Sequence, residues 1–149
     1  MQIEPVTTPG GGLSLRRGPV LYAYAVPADV QEDTAVYDNL AGKVSAHPDF
    51  KSWSMKPAGA WNYALVSNRL QDVKLIRTQA NGFPFDPATV PVKLRVPVVK
   101  VSNWTLEEGR YTPALPETVV PESKKVSYID LVPYGSTTLR LTIFPQYQQ

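Results

Sequence analysis

Proline sets the tightest limit on what this chain can become. Pro84, Pro87, Pro91, Pro97, Pro113, Pro116, Pro121, Pro133 and Pro145 divide its second half into short pieces. A helix interior rejects proline, because the ring clashes with the preceding turn and the amide donor is missing. Only the gaps from Pro27 to Pro48 and from Pro57 to Pro84 leave room for a helix of ordinary length. The 15 prolines among 149 residues are about twice the ordinary share. The apolar fraction is nevertheless 43%, enough for a packed core, and the prolines lie between apolar runs without forming low-complexity tracts.

Leu13 to Val26 reads as a strand pair or one long bent strand interrupted at Gly18-Pro19. Its second part, Val20 to Val26, is almost continuously apolar, the pattern of a strand buried on both faces. Residues 1–12, with Pro9-Gly10-Gly11-Gly12, read as a flexible N-terminal segment or the remnant of a preceding domain, ahead of a β-domain over residues 13–146. Asp33 to Gly42 is the best helix candidate: Asp33 suits a cap, Val36 and Leu40 share a face, and Gly42 suits the left-handed end.

Strands follow at Trp61 to Val66, at Val73 to Arg77 and at Val92 to Val96, where period-two alternation gives one apolar and one basic face. Pro97 inside that last run predicts a bend or an edge strand. Asn81 to Pro87 is turn chemistry. Val126 to Ile143, broken at Pro133-Tyr134-Gly135-Ser136, reads as a C-terminal β-hairpin. Short strands with irregular loops and no recurring helices predict an all-β fold, an antiparallel β-sandwich of jelly-roll type with one short helix.

Chemistry-bearing residues are sparse. Fifteen basic against thirteen acidic residues, scattered along the chain, lack the clustered excess of a nucleic-acid footprint. No run approaches the ~20 apolar residues of a membrane helix, and Met1 to Val6 lacks the charged start and apolar run of an export signal, so any such address lies outside the sequence. Without cysteine there is no disulfide, thiolate metal site or thiol nucleophile. His47 is the single histidine and sits in a loop context, so neither a metal site nor a cofactor is expected. Glu32/Asp33 and Glu107/Glu108 are carboxylate pairs of the kind glycoside hydrolysis uses, but the first reads as a helix cap and the second as a turn before Gly109.

Aromatic rings are the remaining candidates. Trp53, Trp61, Tyr63, Trp104 and Tyr111 suit stacking on sugar rings or filling a core. Trp61, inside an apolar strand, reads as core, whereas Trp104, between Asn103 and Thr105, reads equally well as core or as an exposed ring. Trp104, Tyr111 and Trp53 are the candidate carbohydrate contacts.

Three blocks carry a resemblance: Arg17-Gly18-Pro19-Val20-Leu21-Tyr22-Ala23; Trp61-Asn62-Tyr63-Ala64-Leu65; and Asp130-Leu131-Val132-Pro133-Tyr134-Gly135-Ser136-Thr137-Thr138-Leu139-Arg140 with Phe144-Pro145. With Pro84-Phe85-Asp86-Pro87 and the Val98 to Trp104 stretch in order between them, they resemble the C-terminal β-domain region of β-L-arabinofuranosidase-like glycoside hydrolases. In that family an (α/α)6 barrel performs the chemistry, and none of its catalytic or metal-binding residues can be carried over to this chain. The resemblance implies a non-catalytic accessory domain whose partner is a catalytic barrel, or a second copy of the chain meeting the same docking face, with glycans as a further ligand class. The shared residues also have physical roles that suit a scaffold: Pro133 and Gly135 shape the last hairpin, and Arg140 is placed to pair with an acid across it.

Overall fold

The computed structural model describes residues 2–33, 37–39, 42–44, 51–109 and 112–149. In chain order the strands are β1 (Ile3–Thr7), β2 (Leu13–Arg17), β3 (Val20–Ala25), β4 (Ala28–Asp33), β5 (Tyr37–Asn39), β6 (Gly42–Val44), β7 (Ser52–Pro57), β8 (Tyr63–Val66), β9 (Lys74–Arg77), β10 (Val92–Lys100), β11 (Ser127–Pro133), β12 (Arg140–Leu141) and β13 (Gln146–Tyr147). The fold is all-β, a curled, mostly antiparallel sheet. Its principal path runs β1-β2-β3-β11-β10-β8-β13, with β9 on β10 and β12 on β3.

Hydrophobic pattern and proline explain most of this arrangement. Gly18, at φ +60°, and Pro19 turn β2 back onto β3, so Leu13 to Val26 is a strand pair. Tyr22 and Ala23 are both buried, as a strand covered on both faces requires. β10 is the central strand, and Pro97 lies in its middle, buried, not at an edge. One side of β10 pairs with β11 from Leu94 to Val98, while the other passes from β9 at Arg95 to β8 at Val98. Pro97 sits at that change of partner, where a missing amide donor interrupts no ladder on that side.

The chain departs from further expectations. Ile3–Thr7, within the segment read as flexible or as the remnant of a preceding domain, is an edge strand in register with β2, from Ile3↔Arg17 to Thr7↔Leu13. At the other end the domain extends past residue 146, because Tyr147 pairs with Val66 and the Gln149 amide donates to the Asn68 side chain. The Asp33 to Gly42 helix is not formed in the described part of that segment, where Asp33 pairs with Ser52 in one two-stranded sheet and Asn39 with Gly42 in another. Asp, Asn and Gly mark turns as readily as helix ends, and a helix this short is marginal without packing. Helical turns occur elsewhere, as 3-10 turns at Ser67–Asp72 and Tyr134–Ser136.

The C-terminal hairpin is replaced by a different closure. β11 and β12 lie on opposite sides of β3, with both Leu131 and Leu141 in register with Tyr24. Beyond β12, Leu13 and Phe144 exchange backbone hydrogen bonds of 2.8 and 2.9 Å, and the Leu65 amide donates to Pro145 at 3.0 Å. The final segment thereby joins β2 to β8 and brings the two ends of the sheet together. Leu15, Tyr22, Leu65, Leu94, Val96, Val98, Leu131 and Phe144 fill the interior. Burial of such side chains contributes roughly 1.5–3 kcal/mol each.

Candidate functional site

Strand register places three of the resembling blocks at one end of the sheet. Tyr22 of β3 is opposite Pro133 of β11, and Val92 of β10 is opposite Arg77 of β9. The Gly18-Pro19 turn, the 78–91 loop and the Tyr134 to Thr138 turn therefore all leave the sheet at that end. Phe83, Phe85, Asp86 and Pro87 line a depression of about 310 Å³ together with Gly135, Ser136, Thr137 and Thr138.

The 78–91 loop has a defined shape that its own residues impose. The Thr78 amide donates to Pro91 at 2.9 Å and closes its base. Asp86 organises the tip: its carboxylate accepts from the Ala88 amide at 2.7 Å, and its carbonyl accepts from Thr89 and Val90. Such Asx turns satisfy backbone groups locally. Val90 is buried and anchors the loop, while Phe83 and Phe85 stand 67% and 62% exposed, their rings 5.6 Å apart. Two large rings held outward on an ordered loop form an unusual surface, because apolar groups of this size are ordinarily buried.

Arg140 shapes the facing turn. Its guanidinium lies 3.7 Å from the centre of the Tyr134 ring and donates to the carbonyls of Tyr134 and Thr137. The expected cross-strand acid partner is replaced by these carbonyls, since β12 pairs with β3 and not with β11. At the same end, burial raises the pKa of the Tyr22 hydroxyl, and the charges of Arg17 and Arg77 oppose that rise without reversing it.

The candidate carbohydrate rings do not assemble. Trp104 is only 2% exposed; its Nε1 donates to Ala114 at 3.0 Å and its ring meets Trp61 at 4.8 Å, so the indole is a core element with no face open to a sugar. The neighbouring Asn103 side chain is also engaged, donating to Thr118 and accepting from Val120. Trp53 is 53% exposed on the β4–β7 ribbon, with the Lys51 ammonium 6.0 Å above its ring. Tyr111 and His47 lie outside the described residues. Glu32 pairs with Lys51 at 2.9 Å, and Glu107-Glu108 enters a turn closed by Gly109. Among the described residues no group of three or more histidine, aspartate or glutamate side chains is placed to hold a metal ion.

A second feature, on the face of the sheet, was not read from the sequence as a site. Lys74, Arg95 and Asp130 form one row across β9, β10 and β11, and Tyr128 occupies the next outward position on β11. Period-two alternation puts Arg95 on a basic face, but only the strand order brings Lys74 and Asp130 beside it. The aromatic end was likewise hidden, because Phe83 and Phe85 sit in a segment legible only as turns. No protein-family model, no curated protein and no solved structure matches the chain.

Proposed function

We propose that the chain is a non-catalytic accessory β-domain of a glycoside hydrolase, packing against a catalytic barrel that lies outside this sequence. The observation that carries this reading is the exit of three resembling blocks at one end of the sheet, two of which form a depression with the outward-held Phe83 and Phe85. Burying either ring against a partner contributes roughly 1.5–3 kcal/mol. Because the loop is ordered by its own hydrogen bonds, little conformational entropy remains to be lost on docking. Arg140 has a matching role: by holding Tyr134 and the carbonyls of its turn, it keeps the opposite wall of the depression in place.

The test combines the purified chain with a separately expressed (α/α)6 barrel of a β-L-arabinofuranosidase-like hydrolase. Co-elution in size-exclusion chromatography, lost in the Phe83→Ser/Phe85→Ser double variant, is the expected result. No association with such a barrel, or release of arabinose from arabinofuranosides by the chain alone, overturns the reading.

A further inference from the structure

Lys74 and Arg95 stand directly opposite each other across β9 and β10. Like charges in that relation are destabilising, and a sheet keeps them where something else offsets the repulsion. Asp130 does so in part, accepting from Arg95 Nε at 2.8 Å and from its second terminal nitrogen at 3.0 Å. The Lys74 ammonium has no hydrogen-bond or ion-pair partner among the described residues. Arg69 leans in from the 3-10 turn, bonds Asp72 at 2.7 Å and donates to the Tyr128 hydroxyl at 3.1 Å. Arg69, Asp72, Lys74, Arg95 and Tyr128, with Gln71, line a cleft of about 490 Å³, and a second depression of about 590 Å³, which Asp130 and Tyr24 line, adjoins it across Arg95 and Tyr128.

The hydrogen-bond inventory identifies the ligand chemistry. Three cations face two carboxylates, leaving one positive charge in excess. Both carboxylates already accept from arginine, while the Lys74 ammonium, one terminal nitrogen on each arginine and the Tyr128 O–H keep donors to spend. The cleft therefore favours an anion rich in acceptors. Its volume falls among small-molecule sites, about 300–1,000 Å³, and is larger than an inorganic anion needs. Tyr128, half-exposed with its hydroxyl held by Arg69, offers a fixed aromatic face to an apolar ring surface.

We propose that this cleft binds a saccharide bearing a carboxylate, a uronic acid residue, with the carboxylate on Lys74 and Arg95 and the sugar ring against Tyr128. The site is separate from the aromatic end of the sheet and does not depend on docking there. Nuclear magnetic resonance titration of the ¹⁵N-labelled chain with digalacturonate, its neutral counterpart galactobiose and inorganic phosphate tests it. Digalacturonate is expected to shift the amides of residues 69–74, 95 and 128–130. Galactobiose and phosphate are expected to bind at least about tenfold more weakly, and Lys74→Gln and Tyr128→Ala each to lower digalacturonate affinity about tenfold or more. Added salt is expected to weaken binding, since the charges face solvent. Equal affinity for galactobiose, phosphate binding as tight as digalacturonate with Tyr128→Ala unaffected, or no shift with any of the three overturns the proposal. Both substitutions lie at exposed positions, and an unchanged spectrum outside the cleft confirms that the variants remain folded.

Discussion

Leu13 and Phe144 exchange both of their backbone hydrogen bonds, the bridge by which the last segment of the chain is fastened to its second strand. The Phe144 ring is fully buried in the core, and Pro145 beside it accepts from Leu65 of β8. Two adjacent residues thus join two parts of the sheet, and the ring of the first fills its centre. Phe144→Ala is expected to lower stability by about 3–5 kcal/mol, since it removes buried area and leaves a cavity that paired backbone on both sides cannot readily close. Urea denaturation followed by tryptophan fluorescence measures this, and a loss below about 1 kcal/mol would show that the closure contributes little.

The two exposed-ring candidates separate by the same measurement. Trp104→Ala deletes a buried indole with its bond to Ala114, and a loss of about 3–5 kcal/mol is expected. Trp53→Ala, on the exposed ribbon, is expected to stay within about 0.5 kcal/mol of the parent chain.

Gly12 sits where there is no room for a side chain. A Cβ there would overlap Ile143 Cγ2 and lie 2.6 Å from Leu115 Cδ1 and 2.7 Å from Thr8 Oγ1. Three neighbours from three segments would have to move together, so Gly12→Ala is expected to cost about 1–3 kcal/mol by overpacking. Thermal unfolding of the two chains side by side reads the difference, and an unchanged midpoint would mean that the Thr8, Leu115 and Ile143 side chains yield freely.

Alkaline pH is expected to unfold the domain through Tyr22. Burial raises its pKa above the ordinary 10.0, so the folded state holds the phenolic proton longer than the unfolded chain does. Below pH about 10 both states are protonated and this stabilisation is complete; as pH rises through the unfolded value toward the folded one, it is lost. Tyr24 is raised as well, first by burial and then by its neighbour Tyr63, and adds in the same direction. Denaturation midpoints at pH 8 and pH 10.5 should differ, and Tyr22→Phe should reduce the difference. A midpoint independent of pH across that interval contradicts the assignment.

Proline spacing and period-two alternation already specify an all-β chain, because both act through neighbours along the backbone. The Gly18-Pro19 turn, the buried run of β3 and the outward basic residues of β10 follow from local chemistry of that kind. Other features depend on which strands become neighbours, and composition is silent about that. The apolar alternation from Leu139 to Ile143 marks a strand, yet its partners turned out to be β3 and Leu13, because β3 had a free edge beyond β2 that β11 did not occupy. Trp104 sits among polar residues in the chain, but the ring went inward once Trp61 and Ala114 were brought to it. In the same way Lys74, Arg95 and Asp130 are unremarkable where they stand in the sequence. Strand order put them in one row, and the charge imbalance of that row is a property of the tertiary structure alone.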